Sequence, residues 1–102
     1  MEKSCEDNVT ALTPFEIAKL LDELADWQQQ ALVISKTYPF KNYYQTIAFV
    51  NAIAWISHRE DHHPDLAVSY NSCRVSYSTH SVGGLSKNDF ICAAQIDALF
   101  KP

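Results

Sequence analysis

The sequence predicts an α+β domain of two layers, an antiparallel four-stranded sheet with helices on one face, in the order α-β-β-α-β-β-α. Three observations predict it. Capping signatures mark helix starts at Thr13, Asn42 and Ser86. Between them lie two pairs of short segments with β-branched or alternating side chains, and links this short make antiparallel hairpins. The composition is that of one ordinary globular domain: 102 residues, 47% hydrophobic and 20% charged, with only 2 Gly and 4 Pro to interrupt regular structure. The hairpins then need a helical layer to cover one side of the sheet.

Residues 1–12 are polar and are expected to be disordered, which leaves 13–102 as a single domain. Thr13 can cap a helix, Pro14 suits its first position and Glu16 completes a capping box. Ile17, Leu20, Leu21 and Leu24 follow at helical spacing, so the first helix is expected over about 14–24. After Trp27 the period changes. Leu32, Ile34, Lys36 and Tyr38 alternate with Val33, Ser35 and Thr37. This reads as a short strand starting at Trp27 and a longer one ending near Phe40. Pro39 cannot donate to a ladder and marks a strand end or an edge. Asn42, with Gln45 three residues on, opens a second helix over about 42–60. Tyr44, Ile47, Ala48, Asn51, Trp55 and His58 recur along it at intervals of three and four as an expected apolar stripe. Residues 66–70 and 74–79 read as strands around Asn71-Ser72, with Val75, Tyr77 and Thr79 on one face. Gly83-Gly84 breaks the pattern. Ser86 and Asp89 form another capping box, and Phe90, Ile91, Ala94 and Ala98 give the last helix its expected apolar face.

Lys plus Arg number 8 against 12 for Asp plus Glu, a net charge of −4. Nucleic acid is therefore not an expected partner, because neutralising phosphates needs clustered cations. Apolar runs such as Ala52-Ile53-Ala54-Trp55-Ile56 are too short to cross a bilayer, so no membrane association is expected. Residues 1–7 lack a basic stretch followed by an apolar one, so no secretory signal is expected. Cys5, Cys73 and Cys92 are odd in number and far apart, which points to three unlinked thiols and a cytoplasmic location.

All four histidines fall between residues 58 and 80. His58, His62 and His63 crowd the end of the second helix beside Glu60 and Asp61, and His80 ends the last strand. One reading is a metal site in which His58, His62 and His80 supply three nitrogens, as in a metal hydrolase. Arg59 stands where the metalloprotease motif needs Glu. The other reading is metal-free general acid–base catalysis by histidines on different elements, with Asp61 and Asp89 orienting the imidazoles. If His58 sits one helical turn before His62, their rings share a face.

His62-His63-Pro64, Tyr70, His80 and Asp89, in that spacing, resemble the signature of the pterin-4a-carbinolamine dehydratase family. So do Tyr38-Pro39-Phe40-Lys41-Asn42-Tyr43, Ala48-Phe49-Val50-Asn51, Ser78-Thr79-His80 and Gly84-Leu85-Ser86-Lys87-Asn88-Asp89-Phe90, which resemble its bacterial branch. The resemblance covers residues 13–100. It implies an α+β fold, a homodimer or homotetramer, and dehydration of 4a-hydroxytetrahydrobiopterin to the quinonoid dihydropterin in tetrahydrobiopterin recycling. It implies no metal and no cofactor, and a functional link to an aromatic amino acid hydroxylase that supplies the substrate. His62 and His80 would be the acid–base pair around the 4a-hydroxyl and N5. His63 would mainly bind the pterin, and Asp61 and Asp89 would support the site. Tyr70 reads as a packing residue. Two positions depart from the pattern. His58 replaces a frequent Glu, and Leu66 replaces the aromatic wall of animal members. A binding module that recruits a protein partner through the sheet surface is the non-enzymatic alternative.

Overall fold

The computed structural model describes residues 4–100. Its elements run α1 (Pro14–Leu21), β1 (Gln28–Gln30), β2 (Val33–Pro39), α2 (Tyr43–Glu60), β3 (Asp65–Val68), β4 (Ser72–Tyr77) and α3 (Lys87–Ala98), with one 3₁₀ turn at His80–Val82. The predicted order and class are both present. All strand pairs are antiparallel in the order β1-β2-β4-β3, so the two hairpins meet along β2 and β4.

The caps form as their residue types require. Thr13 and Glu16 close a reciprocal box on α1, the Asn42 side chain accepts from the Gln45 backbone N–H, and Ser86 and Asp89 close a second box on α3. α1 is shorter than expected. Beyond Leu21 the chain continues only as a tight turn, with Leu24 N–H on the Leu21 carbonyl. β2 ends at Pro39, where the missing donor costs the ladder nothing further. β3 stops at Val68 rather than at Tyr70, because Ser69 N–H already bonds the Ser72 carbonyl to close the turn. β4 accordingly starts at Ser72 and ends at Tyr77, with Thr79 meeting Gly84 in an isolated bridge.

Ile34, Lys36 and Tyr38 of β2 lie opposite Tyr77, Val75 and Cys73 of β4, and this face of the sheet takes the helices. Ile34, Cys73, Val75 and Tyr77 are fully buried there with Ile53 of α2 and Cys92, Ala93 and Ile96 of α3. Leu32, expected on that face, instead lies exposed ahead of β2. The second layer is tied on by Asp97 of α3, which accepts from Trp27 Nε1, Lys36 Nζ and the Tyr38 hydroxyl.

One predicted apolar face is wrong and another is half right. On α2 the buried positions are Thr46, Phe49, Ile53, Ile56 and Ser57, whereas Tyr44 is 81% and Trp55 63% exposed. Apolar residues occur on both sides of this helix, so its period alone does not choose the inward side. On α3, Phe90 and Ile91 are buried as predicted and Ala94 is exposed, while Cys92, Ala93 and Ile96 are buried as well, because the helix is covered on most of its circumference.

Residues 4–12, expected to be disordered, are docked. Cys5 N–H donates to Glu60, Glu6 N–H donates to the Asn88 side chain, which donates back to the Glu6 carbonyl, and Leu12 N–H donates to the Leu85 carbonyl. The segment is held by these hydrogen bonds and by Cys5 and Leu12, which pack partly buried against the core, long-range contacts that composition does not reveal. Residues 1–3 and 101–102 of the predicted spans lie outside the described residues. Cys5, Cys73 and Cys92 are free thiols, with the Cys5 and Cys92 sulfurs 3.5 Å apart. No helix among the described residues is long and apolar enough to cross a membrane.

Candidate active site

The site is organised by Asp89, which is fully buried in the first turn of α3. Its capping-box role places one carboxylate oxygen. Oδ2 accepts the Ser86 backbone N–H at 2.9 Å and the Thr79 hydroxyl at 2.8 Å. The Thr79 proton is thereby committed, so the Ser86 hydroxyl, 2.7 Å away, donates to Thr79 Oγ1. Oδ1 is left for the imidazole of His62, whose Nε2–H donates to it at 2.7 Å. One side chain thus caps a helix and also anchors the loop after α2 to the end of β4.

His62 reaches Asp89 because α2 stops before it. Asp61 adopts the left-handed conformation, φ 52° and ψ 43°, which Asp tolerates better than most residues. Its N–H and that of His62 both return to the Ser57 carbonyl. Pro64 disfavours helix at His63 and is followed directly by β3. The His62 side chain is 14% exposed. Its ring runs parallel to that of Tyr77, with centroids 5.4 Å apart and planes 7° apart. The hydrogen bond from Thr79 to Asp89 brings the second histidine segment alongside, because His80 follows Thr79 directly. His63 and His80 are both exposed, each one residue from a side chain held on Asp89.

The remaining predicted residues are placed differently. His58 lies on the exposed face of α2, and the turn at Asp61 removes the helical spacing that would stack it over His62. Asp61 is exposed and shapes the backbone. It also lines a cleft with Ser4, Cys5, Asp7, Arg59, Glu60 and Gln95, a cleft that contains none of the histidines. Glu60 is held below the ordinary glutamate range, chiefly by the Cys5 backbone N–H, against the opposing effect of burial. Tyr70 is 64% exposed and stacks on Tyr43, at the far end of the β3–β4 hairpin from His62. Leu66 points into the core opposite Val75. Among the described residues, no group of three or more His, Cys, Asp or Glu side chains is arranged to hold a metal ion.

Three participants were not singled out as site residues from sequence: Thr79, Ser86 and Tyr77. The Ser86–Asp89 capping box carries the signal for Ser86, and Thr79 is visible in the Ser78-Thr79-His80 motif and as one of the alternating residues of the last strand. Nothing in the sequence marks Tyr77, which reads as one more inward residue of an alternating strand.

The family described as pterin 4 alpha carbinolamine dehydratase matches residues 10–99. A protein of Nitrosospira multiformis with the provisional name pterin-4-alpha-carbinolamine dehydratase is 59% identical over 99 residues, covering 97% of this chain and 88% of its own length. A protein of Nitrosomonas europaea with the same provisional name is 62% identical over 100 residues, with the same two coverages, 97% and 88%. Among solved structures, a transcriptional coactivator/pterin dehydratase from Brucella melitensis superposes with a TM-score of 0.85 at 28% identity, over 88% of this chain and 98% of its own. A pterin dehydratase-like protein described as a RuBisCO assembly factor in the alpha-carboxysome superposes with a TM-score of 0.60 at 25% identity, over 74% of this chain and 87% of its own.

Proposed function

The chain belongs to the pterin-4-alpha-carbinolamine dehydratase family, and on that premise we propose that it removes water from 4a-hydroxytetrahydrobiopterin to give the quinonoid dihydropterin, by histidine general acid–base catalysis without a metal or cofactor. The observation that supports this reading best is the junction at Asp89, which ties His62 and the Thr79-His80 segment to one buried carboxylate.

The reaction breaks the C4a–O bond, takes the proton from N5 and forms the N5–C4a double bond, so one group must protonate the leaving oxygen and another must accept the N5 proton. In this proposal His62 and His80 divide those tasks. Since Nε2 of His62 is engaged by Asp89, Nδ1 is the nitrogen that exchanges a proton with substrate. The anion beside Nε2 stabilises the imidazolium whenever Nδ1 is protonated. His63, exposed next to His62, binds the pterin. Asp61 supports the site by setting the turn that delivers His62, and His58 contributes at most from its edge. The chain works as a homodimer or homotetramer joined through the β1 or β3 edge or the uncovered sheet face, in a cell where an aromatic amino acid hydroxylase makes the substrate. Its location in this reading is the cytoplasm.

Stopped-flow dehydration of freshly generated 4a-hydroxytetrahydropterin tests the proposal. The purified protein accelerates the reaction, and the His62→Ala, His80→Ala double variant loses about 10²–10⁴-fold, the usual contribution of a positioned acid–base pair. His63→Ala raises KM more than it lowers kcat. No acceleration by the natural protein, or near-normal turnover in the double variant, overturns it. The first of these results would favour a binding role, such as the assembly activity named for the carboxysome protein.

A further inference from the structure

We propose that Tyr77 is a positioning residue for His62: its ring is a flat shelf that sets the plane of the imidazole and thereby the direction in which Nδ1 exchanges its proton. The inference rests on the dehydratase reading for its kinetic part only.

Asp89 holds one atom of His62, the distal Nε2, at 2.7 Å. That bond alone restrains the ring plane only loosely, because rotation about Cβ–Cγ moves Nε2 less than it moves Nδ1. The N–H or lone pair at Nδ1 lies in the ring plane and turns with it. Proton transfer needs near-linear in-plane alignment, so a restraint on the plane is as necessary as the hydrogen bond. Tyr77 supplies one. Its ring is fully buried at the end of β4 and lies within 7° of parallel to the imidazole, 5.4 Å between centroids. Rocking the imidazole would drive one edge into the phenol face. The same face excludes water from one side of His62, and its π electrons favour an imidazolium above them.

The hydroxyl of Tyr77 separates this role from a polar one. It is buried near Ser57 and Cys92 but makes no hydrogen bond of good geometry among the described residues. The ring does the positioning and the oxygen contributes nothing to it. β4 presents the ring because Tyr77 pairs with Ile34 in register, on the helix-facing side of the sheet.

The test compares Tyr77→Phe with Tyr77→Leu. Tyr77→Phe keeps the ring and sheds a buried hydroxyl that lacks a partner, so kcat stays within twofold and thermal stability is unchanged or higher. Tyr77→Leu loses the flat face, so kcat falls tenfold or more while KM stays within twofold. Phe49→Leu serves as a core control: Phe49 packs on Tyr38, Phe40 and Phe100, at the other end of the sheet from Tyr77, so the change lowers Tm and leaves kcat within twofold at 25 °C. In parallel, the ring protons of His62 are shifted upfield by the tyrosine ring in the natural protein and in Tyr77→Phe, with cross-relaxation between the two rings. Equal kcat in Tyr77→Leu and Tyr77→Phe overturns the proposal, as does absence of the ring-to-ring signal in the natural protein. If Tyr77→Leu does not fold, the spectra of the natural protein and of Tyr77→Phe decide. A natural protein without dehydratase activity would refute the functional reading, and the spectra would still decide the placement of His62.

Discussion

Replacing Asp89 by Asn changes the chemistry of His62 while leaving the fold nearly intact. Asp89 receives three donors, from Ser86 N–H and the Thr79 hydroxyl on one oxygen and from His62 Nε2 on the other. An asparagine of the same shape can satisfy the first two with its carbonyl, which turns its amide NH2 toward His62. The imidazole must then accept at Nε2 and carry its proton on Nδ1, the reverse of the natural tautomer. The imidazolium formed during turnover also loses its adjacent anion. A hydrogen bond to a charged group contributes about 1.5–3 kcal/mol, and about 1.4 kcal/mol is tenfold in rate, so kcat is expected to fall about 10–100-fold. The helix cap survives and no buried donor is stranded, so this variant loses less stability than one that removes the side chain. Asp89→Ala differs because it strands the Thr79 hydroxyl and the Ser86 N–H in a fully buried place. At about 1–3 kcal/mol for each unsatisfied group, that variant loses about 2–6 kcal/mol and melts about 8 °C or more lower by the ordinary scaling for a domain of this size. Stopped-flow kinetics give kcat, circular dichroism gives Tm, and ¹⁵N spectra of the imidazole give the tautomer. An Asn variant with natural kcat and natural tautomer refutes the reasoning, as does one destabilised as much as Asp89→Ala.

Asp97→Ala should destabilise without any specific effect on turnover. It removes the shared acceptor of Trp27, Lys36 and Tyr38, and the two buried aromatic donors set a loss of about 2–4 kcal/mol in urea unfolding. The Glu60 carboxyl is held below its ordinary value, first by Cys5 N–H, so its stabilising contribution is present above the unfolded pKa and is lost as pH falls through the acid range below about 4.5. Glu60→Gln should therefore flatten the fall of Tm between pH 5 and pH 3, and an unchanged slope would show that the docked N-terminal segment does not depend on that charge.

Much of the local structure was legible in the sequence because it closes over a few residues. The capping boxes of Thr13–Glu16 and Ser86–Asp89 are completed within one turn, so residue type and spacing specify them without tertiary contacts. The hairpins follow in the same way from alternating side chains and short turns, and the crowding of His62, His63 and His80 pointed to acid–base chemistry. Tertiary structure decided what depends on residues far apart in the chain. The inward side of α2 passes through Phe49, Ile53 and Ile56 rather than Tyr44 and Trp55 because the packing against β4 and α3 selects one of two apolar sides. The left-handed turn at Asp61 ends α2 one residue before His62 and separates it from the helical spacing of His58. The bond from His62 to Asp89 spans 27 residues, and the shelf under His62 exists only because Tyr77 lies opposite Ile34 on the covered side of the sheet. A helix cap is a local equilibrium that its own few residues settle. A buried imidazole bonded at one nitrogen and stacked on one face has no such local origin, because its partners are brought together only when the sheet register and the helix packing are complete.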